Sequence, residues 1–140
     1  MKKRISILSL VLIISIITIS VRSANNAIDN NSTQTEAKND NQVSVLYFHA
    51  TKRCVTCKAV EKVTIDAIKE YYGDKVSFKL LNREKDVNKE LIEKYEIGGQ
   101  TLLIVKGDKK VDLTTFAFMN AKTFPAKLKK KIKSTVDSMM

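Results

Sequence analysis

The chain has only two cysteines, one histidine and one proline among its 140 residues. Two cysteines and one histidine fall short of the four ligands that a structural zinc site wants. The single proline, Pro125, stands far downstream of both cysteines. No cysteine follows the apolar N-terminal run, which argues against a lipid-modified N-terminus, and no internal repeat is visible. The basic residues are scattered apart from "KLKKKIK". A nucleic-acid role would need a basic surface with aromatic or groove-reading residues, and that pattern is missing. The length leaves room for one compact domain.

What is present begins with "MKKRISILSLVLIISIITISVRS". Lys2, Lys3 and Arg4 precede an unbroken apolar and hydroxyl run from Ile5 to Val21, the n-region and h-region pattern of an export signal. Cleavage after Ser23 is one outcome. An uncleaved anchor is the other, since the run is just short of the about 20 residues of a span. In both cases the basic start stays in the cytoplasm, so the rest is expected in the periplasm or on the extracytoplasmic face of the inner membrane. Residues 24–42, "ANNAIDNNSTQTEAKNDNQ", hold one large apolar residue and are expected to form a flexible tether. Lys2, Lys3, Arg4 and Arg22 carry four units of the net charge of +10, leaving +6 downstream.

The domain is expected over 43–140. "VSVLYFH" is a short apolar run rich in β-branched and aromatic residues and predicts a buried strand. After it, Val60, Val63, Ala67, Ile68 and Tyr71 share one helical face, with Gly73 as the stop. "KVSFKLLN" alternates Val76, Phe78 and Leu80 as a second strand. Asp86 is expected to cap a helix through Tyr95 that turns Val87, Leu91, Ile92 and Tyr95 inward and ends at Gly98 and Gly99. "TLLIVK" is a third strand, "GDKK" a turn and "VDLT" a fourth strand, giving an antiparallel hairpin. Phe116, Phe118, Met119 and Phe124 are expected to pack the last helix onto the sheet. That helix starts near Pro125, with Leu128, Ile132, Val136 and Met139 on its apolar face. The fold class is therefore α/β, a three-layer sandwich around a mixed four-stranded sheet in the order β-α-β-α-β-β-α. The two helical connections are expected to cross over between parallel strands.

Both cysteines fall in "RCVTCK", Arg53 to Lys58, where the first strand gives way to the first helix. A helix start offers unpaired N–H groups and the positive end of the macrodipole, and both favour a thiolate. Lys52, Arg53 and Lys58 add positive charge. At such a position the first sulfur, Cys54, is expected to be accessible and to attack. The second, Cys57, is expected to be shielded and to resolve the mixed disulfide. A purely structural clip is a poor use of the pair, because a C-x-x-C loop closes too few residues to stabilise much. His49, five residues upstream, is either a proton acceptor, a metal ligand or a strand-end residue bonded to backbone. Copper(I) accepts two or three soft ligands, so a copper site of Cys54, Cys57 and His49 stays open as a rival.

These residues carry a resemblance. "VLYFHATKRCVTCKAVEKV", "VSFKLLNREKD" and "YEIGGQTLLIVKGDKKV" resemble the active-site strand and helix, the second strand with its acidic loop, and the third strand of the thioredoxin family. The segments R-C-x-T-C-K and G-Q-T-L-L also resemble those of secreted bacterial thioredoxin-like proteins. The resemblance implies a thiol–disulfide oxidoreductase with no cofactor beyond the Cys54–Cys57 disulfide. It implies protein thiols or disulfides and an electron-donor protein as partners, a monomer, and Gln100 and Thr101 on the substrate side. The departures are specific. Arg53 replaces an aromatic residue, Val55 and Thr56 replace Gly-Pro, and Tyr47 stands near the position of a buried acid. Gln100 precedes Thr101 where the family has a cis proline. The alternative is a binding module of the same fold that holds copper(I) or a protein partner through the same cysteines without turnover.

Overall fold

The computed structural model describes residues 41–140, and all of them belong to one compact unit. The expected export signal, and the expected tether except for its last two residues, lie outside the described residues. Of the tether's end, Gln42 donates its side-chain amide to the Lys75 carbonyl at 3.1 Å.

β1 (Ser44–His49) is central, and its last five residues are all buried. It pairs in parallel with β2 (Ser77–Asn82) and antiparallel with β3 (Thr101–Lys106). β3 in turn pairs antiparallel with β4 (Lys109–Asp112), so the sheet order is β2-β1-β3-β4. The β1–β2 connection is the expected parallel crossover. The second connection is not, since β3 runs against β1. Helix-linked strands default to parallel only when the chain returns to the same end of the sheet. Here residues 83–100 turn at the end where β2 stops, and β3 starts back from there.

α1 (Val55–Tyr71) buries Val60, Val63, Ala67 and Ile68 against one sheet face, as its spacing predicts. Gly73, at φ +57, gives its N–H to the Ile68 carbonyl at 3.1 Å and closes the helix. α4 (Pro125–Asp137) lies beside α1 and buries Leu128, Ile132 and Val136 completely. The opposite face carries Leu46, Phe48, Leu81, Leu103 and Val105. Leu91, Ile92, Tyr95 and Ile97 of and beyond α2 (Lys89–Tyr95) pack on them. This is the expected three-layer sandwich around a mixed four-stranded sheet. One short helix is added between hairpin and last helix, α3 (Thr114–Asn120). Among the described residues no helix is long and apolar enough to cross a membrane.

Several local expectations need correction. Leu80 is on the α1 face, since it pairs with Tyr47, but it is exposed because β2 is an edge strand that the helices do not fully cover. Asp86 opens a 3-10 turn (Asp86–Asn88) and caps nothing, and Val87 is 81% exposed. The eclipsed side chains of a 3-10 turn break the 3.6-residue phase that would have turned Val87 inward. α2 ends at Glu96, in the left-handed region at φ 58, before either glycine is reached. Lys109 and Lys110 belong to β4, so the hairpin turn is shorter than "GDKK". Phe116 and Phe118 do pack against the core, while Met119 and Phe124 are exposed.

Candidate active site

The site forms where β1 stops and α1 starts. Cys54 is the N-cap of α1, with extended backbone, and its sulfur accepts the Cys57 backbone N–H at 3.2 Å. Its carbonyl takes the Lys58 N–H at 3.1 Å, so sulfur and backbone both serve the first turn. Cys54 and Cys57 are joined as a disulfide, with Cα atoms 5.1 Å apart. Cys54 is exposed, whereas Cys57 is 1% exposed. Any partner molecule therefore meets the Cys54 sulfur first.

Beneath Cys57 lies Tyr47, fully buried on β1, whose hydroxyl donates to the Cys57 carbonyl at 3.1 Å. Burial pushes this phenol up to about 12. The Glu61 carboxylate pushes the same way, and the Arg53 guanidinium opposes both. The position is thus held by a neutral hydrogen-bond donor. His49, on the same sheet face, is 7% exposed and has its ring 6.3 Å from that of Tyr47. Its Nδ1 is 2.9 Å from the Ala50 carbonyl, which can only accept, so Nδ1 carries the proton. Among the described residues no three His, Cys, Asp or Glu side chains gather as a metal site.

The three cations are not equivalent. Lys52 and Lys58 are exposed, and neither makes an ion pair among the described residues. Arg53 is half-buried and its guanidinium is bound to the Glu61 carboxylate of α1. A shallow groove of about 430 Å³ begins at this pair and follows α1 past Lys58, Lys62, Ile65 and Asp66. The loop ahead of Arg53 is tied to the loop after β2. Thr51 N–H donates to Glu84 at 3.0 Å, and Asn82 donates to the Thr51 hydroxyl at 3.0 Å. These bonds from Thr51, with Arg83 and His49 nearby, hold the Glu84 carboxyl below its usual range.

Thr101 opens β3 at the end nearest the site, and Gln100 precedes it. The Thr101 side chain is on the Phe48 face, opposite to that of Tyr47, and is 9% exposed. The side-chain oxygen of Gln100 is buried without a hydrogen-bond partner. No cis peptide bond occurs among the described residues. Glu61 and Glu84 escaped the sequence reading. Glu61 was visible in principle, four residues after Cys57 and so on its helical face. Glu84 was not, because its contact with Thr51 spans 33 residues.

No family model matches the chain, and no curated protein matches it. Among solved structures, a thioredoxin of Fasciola hepatica superimposes with a TM-score of 0.48 at 19% identity, over 72% of this chain and 85% of its own. Mitochondrial thioredoxin 3 of Saccharomyces cerevisiae, in its oxidised form, gives a TM-score of 0.45 at 23% identity, over 67% of this chain and 79% of its own.

Proposed function

We propose that the chain is an exported thiol–disulfide oxidoreductase in which Cys54 attacks and Cys57 resolves. The observation that supports this best is the asymmetry of the pair: an exposed sulfur at a helix N-cap joined to a buried one. In the reducing direction the Cys54 thiolate attacks one sulfur of a partner disulfide. A Cys54–partner bond forms and the other partner sulfur leaves as a thiolate. Cys57 then loses its proton and attacks the Cys54 sulfur, which releases the second partner thiolate and closes the Cys54–Cys57 disulfide. Two electrons pass to the partner, and a dithiol donor protein restores the reduced pair. The oxidising direction is the same sequence reversed. The Cys57 N–H that already points at the Cys54 sulfur, the helix terminus, the charges of Lys52 and Lys58, and the part of the Arg53 charge that Glu61 leaves uncancelled all stabilise the attacking thiolate. Gln100 and Thr101 are proposed to line the substrate side, as the resemblance implies.

In the Cys57→Ser protein, mixed disulfides with partner proteins should accumulate, because nothing resolves them. The Cys54→Ser protein should trap few, its remaining sulfur being buried. Equal trapping by the two variants would overturn the roles. A pair that exchanges with no protein disulfide but binds copper(I) stoichiometrically would favour the non-catalytic binding module. Export is the remaining part of the proposal and follows from the basic start and apolar run of residues 1–23. On intact cells with any outer membrane permeabilised, a membrane-impermeant thiol reagent should label the reduced cysteines. Labelling only after lysis of the inner membrane would refute it.

A further inference from the structure

The cations around Cys54 would be expected to make its disulfide strongly oxidising, since stabilising the thiolate stabilises the reduced form. The geometry changes that expectation at one residue. Arg53, adjacent to Cys54, is bound to Glu61, and both side chains are largely withdrawn from solvent, at 26% and 21% exposed. Glu61 follows Cys57 by four residues on α1, which places the two on one helical face with Cβ atoms about 5–6 Å apart. A carboxylate therefore stands one helical turn after Cys57, joined to the guanidinium of the residue next to Cys54. Lys62 is taken by Asp66 at 2.7 Å and does not compete for Glu61. Lys52 and Lys58, being exposed, act through water and are screened by salt, whereas the half-buried pair is screened less.

We propose that Glu61 is a positioning residue for the redox reaction: by holding Arg53 along the first turns of α1 it cancels most of that charge and sets the reduction potential of the Cys54–Cys57 pair. The inference rests on the redox reading above, but its measurement does not. The equilibrium between the pair and glutathione is defined for any disulfide, whether or not it turns over a protein.

Glu61→Gln leaves Arg53 as an uncompensated cation and should shift the equilibrium about fivefold toward the reduced pair, the size of one charge acting at this range through a partly wet medium. That corresponds to a rise of about 20 mV for a two-electron couple. Arg53→Gln leaves the carboxylate alone and should shift it by a similar factor the other way. The double variant should return to within about twofold of the parent, because both charges are gone. Glu61→Asp and Arg53→Lys, which keep the charges, should move the equilibrium less than the glutamine variants. In 1 M salt the single-variant shifts should shrink. A purely structural role would give none of these opposed signs, and circular dichroism of the oxidised proteins checks that the variants stay folded. Single variants that shift the equilibrium in the same direction, or by less than about twofold, would overturn the proposal. Failure of the Cys57→Ser trap alone would instead overturn the oxidoreductase reading and leave the Glu61 result standing.

Discussion

At Tyr47 the chain departs furthest from the chemistry its resemblance implies. A carboxylate at this depth would exchange protons with Cys57, but a phenol held neutral up to about 12 does not. What it does is fix the backbone: its hydroxyl donates to the Cys57 carbonyl from full burial. Tyr47→Phe keeps the ring and removes one buried hydrogen bond, so at pH 7 it should cost about 1 kcal/mol in urea unfolding. The pH dependence follows from the raised value. The unfolded chain gives up this proton near the ordinary 10.0, while the folded chain keeps it to about 12. The stabilisation is therefore complete below 10.0 and is lost as pH rises toward about 12. The deficit of Tyr47→Phe against the parent should shrink between pH 9 and pH 11.5, because the phenylalanine has no proton to lose. A deficit independent of pH would show that the hydroxyl is not held neutral by burial.

Among the elements, the end of α2 shows where backbone conformation and side-chain preference conflict. Glu96 occupies the left-handed region at φ 58, which costs an L-residue about 1–2 kcal/mol relative to a comfortable conformation. Its ion pair with Lys110, at 3.6 Å between exposed side chains, returns little. Glu96→Gly should raise stability by about 0.5–1 kcal/mol, measured by chemical denaturation. Gly73 sets the opposite case. Its φ is +57 with nothing within 4 Å of an added Cβ, so Gly73→Ala should lose about 1 kcal/mol through conformation alone. The sequence displays two good glycine stops at Gly98 and Gly99, yet the chain turns at Glu96. The N–H of Ile97 reaches the Ile92 carbonyl at 2.9 Å, and Ile97 packs with Leu91, Ile92 and Tyr95 beneath the helix. The helix ends where the chain must turn Ile97 partly inward. Strong apolar periodicity made β1, β3, α1 and α4 legible. α3 was not, because its seven residues hold through tertiary contacts: buried Leu113 and Ala117, and the Asp112 carboxylate on the Thr114 N–H at 2.7 Å. The cysteine pair was legible because strand, cap and helix are contiguous. Its charges were not, because Arg53 precedes the helix and finds Glu61 only once the turn is made.

Over the whole molecule the two sides of the sheet are unequal, and this sets the order in which it should open. One side is closed by α1, α3 and α4, with Val60, Ala67, Ala117, Leu128, Ile132 and Val136 all at 0% exposure. It is further joined at the surface by Lys129 with Glu70 at 2.6 Å and by the Tyr72 hydroxyl on Asp137 at 2.6 Å. The other side is closed by α2 alone, which buries none of its residues fully. Local opening follows buried apolar contact, so α2 should open at a lower free energy than α1 and α4. Amide hydrogen exchange should show Leu91–Tyr95 exchanging before Val60–Ile68 and Leu128–Val136. The cysteine site depends on α1, so such an opening leaves it assembled. Ile132→Ala, at a fully closed position, should cost about 2–5 kcal/mol of global stability. Ile92→Ala removes a half-buried side chain whose surroundings can relax, and should cost about 1 kcal/mol. The glutathione equilibrium of the cysteine pair should be unchanged in both wherever the variant remains folded. Equal exchange of α2 and α4, together with equal costs for the two substitutions, would mean that the layers unfold as one unit. The helix that carries the cysteine pair would then have no stability of its own beyond that of α2 on the opposite face.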